Sequence, residues 1–267
     1  MIVAAFQTYP PWVAYEPDLV PPADIMALEG ITVLEEWLRW GEEWAVVLRA
    51  FGTMGRDSEV LEIGCGLGRI AFALRYFLDR GRYDGFEIVQ QKIEFLKTRF
   101  EPVHPNFHFT WANVRNTHYN PGGAHHASSY RFPYPDGSFD LVFAASVFTH
   151  MTPENTAWYF AESSRVLKPG GRCVFSFFLL DNYQPIDRRP TGFHKPDFDL
   201  VHPYPAGNAG CAVAFPRDPE RMTGYRLEYL EQFAAAAGLR LSGAPLPGYW
   251  SGANRYIGAQ DLVVLVK

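Results

Sequence analysis

The chain has 267 residues, 48% of them apolar and 20% charged, and its 24 Lys+Arg against 29 Asp+Glu leave a net charge of −5. That is the balance of a globular protein long enough for one large domain or two small ones. Its mild acidity, without clustered Lys or Arg, argues against nucleic acid or an anionic membrane as a partner. The cysteines, Cys65, Cys173 and Cys211, are odd in number and far apart, which favours neither a disulfide framework nor a zinc site and fits a cytoplasmic protein.

The apolar run Met1 to Phe6 lacks a basic flank and is broken at Gln7, so it does not read as a signal peptide. The longest internal apolar runs, Leu141 to Phe148 and Cys173 to Leu180, fall far short of the roughly 20 residues a membrane helix needs. Residues 1–24 are rich in Pro and aromatics and predict an extended arm, in which Tyr9, Trp12 and Tyr15 either cover a ligand or staple the arm to the domain. From Ile31 to Phe51 apolar residues recur at helical spacing, with tryptophans that serve either core packing or the lining of a substrate site.

Beyond residue 59, short β-rich runs alternate with amphipathic segments, the pattern of a parallel sheet covered by helices. Strands are predicted at Val60–Ile63, Tyr83–Glu87, Asn106–Trp111, Phe139–Ala145 and Arg172–Leu180, and helices at Gly68–Leu78, Gln90–Phe100 and Pro153–Leu167. The last helix should stop at the turn signal Lys168-Pro169-Gly170-Gly171. Residues 181–224 show no periodicity; a helix over Tyr225–Ala237 and strands at Leu239–Ser242 and Asp261–Lys267 close the pattern.

The sharpest motif runs from Val60 to Ala71, where a buried strand enters three alternating glycines, Gly64, Gly66 and Gly68, and then a helix. Such a loop lets a ligand approach the main chain where Cβ atoms would collide. A pyrophosphate-binding loop would need glycine where Arg69 stands, and Glu62 would repel phosphate but attract an ammonium group. Nineteen residues after Gly68 the second strand ends at Glu87, a carboxylate placed to accept the two hydroxyls of a ribose. A strand-end Glu alone is commonly a solvated surface residue. Together the two sites describe an adenosine ligand carrying an amino acid in place of phosphates.

On these residues the sequence resembles the class I S-adenosylmethionine-dependent methyltransferases of the group called type 11. The matching segments are VLEIGCGLGRIA (60–71), DGFE (84–87), FPYPDGSFDLVFAASVFTHM (132–151) and ESSRVLKPGG (162–171). The resemblance implies an α/β fold, a Rossmann-like doubly wound seven-stranded sheet, mostly parallel with the last strand antiparallel. An N-terminal helical arm (1–58) would precede a methyltransferase domain (59–267) with a substrate-cap insertion at 181–224. It also implies S-adenosyl-L-methionine as cofactor, with S-adenosyl-L-homocysteine as product. Glu62, Gly64, Cys65, Gly66 and Gly68 would surround its methionine and ribose, Glu87 the ribose hydroxyls, and Ile88 the adenine. Asn113, followed by Val114, stands where the family commonly has an acidic residue contacting the adenine amino group, and its amide oxygen can still accept that hydrogen bond. Ser146 lies past the fourth strand, either at the cofactor or as an ordinary strand-end hydroxyl.

A sulfonium methyl group is already electrophilic, so the protein's task is to hold an attacking atom in line at roughly 3–3.5 Å. For a hydroxyl acceptor a base helps, and His150 is the best placed by topology, the other reading being a residue of the loop after the fourth strand. His125, His126, His194 and His202 lie in aperiodic segments that are either over the site or on the surface. Asp181-Asn182 resembles half of a magnesium site, but the chain lacks the partner Asp after the fourth strand, so no metal is expected. Aromatic, weakly charged segments outside the shared scaffold point to O-methylation of a small acceptor such as a sugar or secondary metabolite. N- or C-methylation, or binding of the cofactor without transfer, are the competing readings.

Overall fold

The computed structural model describes residues 16–31, 33–183 and 198–267; Tyr9, Trp12, Tyr15 and His194 lie outside them. In chain order the main elements are α1 (Ala23–Met26), α2 (Leu34–Phe51), β1 (Glu59–Ile63), α3 (Arg69–Leu74), β2 (Arg82–Glu87), α4 (Gln90–Arg99) and β3 (Phe107–Trp111). They continue with β4 (Phe139–Ala144), α5 (Pro153–Val166), β5 (Leu167–Phe177), α6 (Leu227–Ala236), β6 (Arg240–Leu241) and β7 (Asp261–Val266). The strands form one seven-stranded sheet in the order β3-β2-β1-β4-β5-β7-β6. From β3 to β5 all pairings are parallel, and β7 runs antiparallel to β5 and to β6.

Successive strand residues face opposite sides of the sheet, and both sides are apolar. Leu61 and Ile63, with Val142, Ala144, Phe175 and Val263, join the α5–α6 layer, whereas Val60, Leu141, Phe143 and Leu262 join the layer of α2 and α3. Helices on both faces explain why these strands read as continuous apolar runs.

Helix α2 buries Leu34, Trp37, Leu38, Gly41, Val47 and Leu48, the three-and-four spacing of one helical face. Trp37 is fully buried against Phe72 of α3 at 5.4 Å, and Trp44 stacks on Phe143 of β4 at 6.0 Å. Gly41 sets the crossing, because a Cβ there would stand 2.4 Å from the Arg69 carbonyl oxygen. The tryptophan face therefore packs the core.

Several boundaries differ from expectation for local reasons. Helix α3 ends at Leu74, where the Arg75 guanidinium turns back to donate to the Phe72 carbonyl and to Glu16 (2.7 Å). Lys168-Pro169-Gly170-Gly171 does not leave the sheet: β5 begins at Leu167, paired with Phe139, and its register then jumps so that Arg172 pairs with Leu141. The extra residues bulge and are held by Lys267, whose N–H donates to the Gly171 carbonyl (3.1 Å). Strand β5 ends at Phe177, short of Leu180.

Within 181–224 the structure contains a small antiparallel sheet of residues 202–203, 211–213 and 223–225. Strands of two or three residues are too short to leave a periodic signal. This sheet is tied to the domain by Tyr225, which bridges to Leu179 and whose buried hydroxyl donates to the Met151 carbonyl (2.6 Å). The tie brings Glu220 to the carboxyl ends of the large sheet. Among the described residues, no helix is long and apolar enough to cross a membrane.

Candidate active site

The sheet order reverses between β1 and β4, and in open α/β sheets ligands bind in the crevice outside the strand ends at that point. A cavity of about 450 Å³ lies there, within the roughly 300–1,000 Å³ of small-molecule sites. It brings together Glu62, Gly64, Cys65, Gly66, Glu87, Ile88, Val114, Ser146 and His150. Two expected residues do not line it. Gly68 caps the start of α3 with its backbone left-handed, packed against Leu96. Asn113 turns its amide oxygen into its own loop, accepting from Ala124 N–H (3.3 Å).

The glycine loop is fixed to the end of β2, since the Gly64 and Cys65 N–H groups both donate to the Phe86 carbonyl at 2.8 and 3.0 Å. Glu87 is buried and fastened by its surroundings. Its Oε1 accepts the N–H groups of Ile88 (2.8 Å) and Val89 (2.9 Å), and its Oε2 accepts that of Gly66 (3.1 Å). A carboxylate offers about four acceptor positions, so one on Oε2 remains. The residue is thus an oriented acceptor rather than a solvated surface charge.

Glu62 is buried and receives the Tyr83 hydroxyl. Burial pushes its carboxyl up to about 8 against the opposing effect of that hydrogen bond, which favours the protonated form at neutral pH. The Cys65 thiol is raised well above its ordinary value, first by burial and then by Glu62 and Glu87, and is therefore not a thiolate.

Ser146 adopts a left-handed backbone at φ 60°, uncommon for a residue with a side chain. Its N–H donates to Ser176 Oγ (2.7 Å), its hydroxyl receives the Gln260 amide (2.8 Å), and Ser176 donates to the Gln260 carbonyl oxygen (2.7 Å). This closed network holds the strained backbone in place.

At the other end, His150 Nδ1 lies 3.2 Å from the Glu220 carbonyl oxygen, which can only accept, so Nδ1 carries the proton. Its Nε2 lone pair then faces the Tyr119 hydroxyl at 3.4 Å. Burial lowers His150 to about 4, despite the Glu220 hydrogen bond, so its ring stays neutral. The Glu220 carboxylate accepts from Thr117 N–H (2.5 Å) and Asn155 Nδ2 (3.2 Å).

Glu29, Lys92, Tyr119, Asn155 and Glu220 line the cavity without having been expected there. A charged residue early in a helix, such as Lys92, reads from sequence as solvated, and Glu29 and Glu220 lie in segments without periodicity. His125 and His126 are exposed on a two-residue strand, and His202 is exposed on the small sheet. Asp181 accepts the Leu227 N–H at the start of α6 (2.6 Å). Among the described residues no group of three or more His, Cys, Asp or Glu comes together as a metal site.

Residues 61–175 match the family model described as a methyltransferase domain. The chain is 30% identical over 124 residues to the 27-O-demethylrifamycin SV methyltransferase of Amycolatopsis mediterranei, covering 46% of this chain and 39% of that protein. It is 28% identical over 125 residues to the malonyl-[acyl-carrier protein] O-methyltransferase of Hahella chejuensis, covering 47% and 38%. The chain thus spans about two fifths of the length of these curated relatives. A solved S-adenosylmethionine-dependent methyltransferase from Methanosarcina mazei superimposes with a TM-score of 0.55 at 18% identity, covering 83% of this chain and 96% of that one. Residues 61–175 thus match a methyltransferase domain, and the chain has the fold of the S-adenosylmethionine-dependent methyltransferases.

Proposed function

We propose that the protein transfers a methyl group from S-adenosylmethionine to a hydroxyl of a small molecule, such as a sugar or secondary metabolite, in the cytoplasm. The observation that carries this reading is the pocket at the reversal point of the sheet. There an oriented carboxylate, Glu87, and the glycine loop share one cavity with a neutral histidine. The donor set fits: Glu87 keeps a free acceptor position for a ribose hydroxyl, Ile88 and Val114 offer apolar surface to adenine, and Gly64, Cys65 and Gly66 line the cavity beside them. The bound cofactor supplies an electrophilic methyl group on sulfur.

The chain's own contribution is alignment in a shaped site. His150 presents its Nε2 lone pair to the acceptor's O–H and orients it, with Tyr119 beside it. A group that titrates near 4 is a weak proton sink, so its effect rests on orientation more than on full proton removal. Glu220 from the one segment, and Leu28, Glu29 and Gly30 from the turn before α2, line the cavity and shape it.

Two curated relatives named for transfer to oxygen, one of them acting on a 27-O-demethylrifamycin, support methylation at oxygen. The test is a transfer assay with methyl-labelled cofactor over hydroxylated and aminated small molecules. Label on hydroxyl compounds, diminished by His150→Ala, is the expected result. Label confined to amines with His150→Ala unaffected would move the assignment to N-methylation, and cofactor binding without transfer to any acceptor would leave a binding protein.

A further inference from the structure

Hydrogen-bond accounting around Glu87 leaves the ribose subsite incomplete. Three backbone N–H groups occupy the carboxylate, leaving about one acceptor position of four. A ribose diol brings two O–H donors, each with oxygen lone pairs of its own. The remaining partners must come from nearby.

Two charged side chains stand there. Lys92, the third residue of α4, is only 6% exposed and lines the cavity. A cation in the first turn of a helix opposes the helix dipole, so its position serves neither the helix nor solvation. Burial pushes its ammonium down, but Glu87 and Glu29 outweigh that and hold it above the ordinary lysine value. Of its three N–H donors, one is directed to Glu29 Oε1, at 3.4 Å. Glu29, from the turn before α2, reaches over the glycine loop and accepts the Leu67 N–H (2.8 Å). Its Oε1 stands 2.1 Å from where a Cβ on Gly66 would be. Gly66 is thus the residue that admits Glu29. The segment carrying Glu29 is anchored from behind by Glu16, which pairs with the buried Arg75 (2.7 Å) and with His104 (3.1 Å).

We propose that Lys92 and Glu29 complete the ribose subsite of the cofactor: Lys92 donates to a ribose oxygen and Glu29 accepts the hydroxyl that Glu87 cannot. The proposal rests on the methyltransferase reading above. It makes the segment before α2 part of the cofactor site although it lies outside the matched domain, residues 61–175.

The test uses the full chain and its Glu29→Met and Lys92→Met variants. Affinities are measured by calorimetry for S-adenosylhomocysteine, and by displacement for adenosine and 2′,3′-dideoxyadenosine. The wild-type protein is expected to prefer adenosine over the dideoxy compound by about tenfold or more, the scale of one or two hydrogen bonds at a buried polar site. In each variant that preference shrinks by about threefold or more, while Glu87 preserves part of it. General damage to the pocket weakens both nucleosides alike, leaves their ratio unchanged and overturns the proposal. A loss for S-adenosylhomocysteine alone overturns it too, assigning the pair to the amino-acid end. Failure of the wild-type protein to bind S-adenosylhomocysteine at all is a separate result, which removes the methyltransferase reading itself.

Discussion

The Gln260 side-chain amide donates to the Ser146 hydroxyl at 2.8 Å, joining residues 114 apart in sequence at the carboxyl ends of β4 and β5. Gln260 precedes Asp261, whose buried carboxylate accepts the N–H groups of Leu179 and Gly248, both at 2.8 Å, so the amide is held from behind. Replacing Gln260 by Ala leaves Ser176 and Ser146 with unmet hydrogen bonds, which should cost about 1–3 kcal/mol. Urea unfolding reads that loss, and the cofactor KM should rise with it. Ser146→Gly removes the backbone strain and should leave stability within about 1 kcal/mol of wild type while still weakening cofactor binding.

Glu62 gives the fold a pH signature. Its folded carboxyl titrates at about 8, against 4.5 for the free group, so between these values the folded state holds a proton that the unfolded chain has lost. Stability contributed by that proton is full below about 4.5 and disappears as pH rises through about 8. Thermal unfolding of the cofactor-free protein should show this decline, and Glu62→Gln, which keeps a neutral group at every pH, should flatten it. An unchanged slope in the variant would show that Glu62 is ionised in the pocket.

His150 predicts the opposite dependence, in activity as well as stability. Its folded value of about 4 lies below the ordinary 6.5, so falling pH through this window favours the unfolded chain, which binds the proton more readily. The kcat/KM profile should be flat from about pH 6 upward, without the shoulder an exposed histidine near 6.5 gives. His150→Ala should lower kcat for a hydroxyl acceptor by about 10-fold, the scale of one orienting hydrogen bond. A shoulder near 6.5 that disappears in the variant would mean that the ring is solvated during turnover.

The tryptophan face of α2 can be tested separately from the chemistry. Trp37→Ala removes a fully buried ring packed on Phe72 and should cost about 3–5 kcal/mol. Urea unfolding measures it; a loss under about 1 kcal/mol would indicate that α2 is loosely docked.

The sequence carried the scaffold where local and long-range signals agree. Alternating glycines after an apolar strand locate β1 and the loop, and Glu87 is placed by its distance from them. The KPGG bulge in β5 was hidden because Pro-Gly-Gly has the same local signature whether it ends a segment or kinks within it. The 202–225 sheet was hidden because its strands are too short to alternate. Lys92 and Glu29 escaped notice because their role depends on two segments meeting over Gly66. The three N–H donors on Glu87 likewise come from the fold, since Gly66 reaches the carboxylate from a different strand end.

The proposed methyl transfer depends on the cavity beyond β1 and β4 holding S-adenosylmethionine through Glu87. Calorimetric titration of the wild-type protein and Glu87→Ala with S-adenosylhomocysteine tests it most directly. Saturable one-site binding to the wild type is expected, with about tenfold weaker binding to the variant, the loss of one charge-assisted hydrogen bond. Equal affinity in both proteins, or no binding to the wild type, would contradict it.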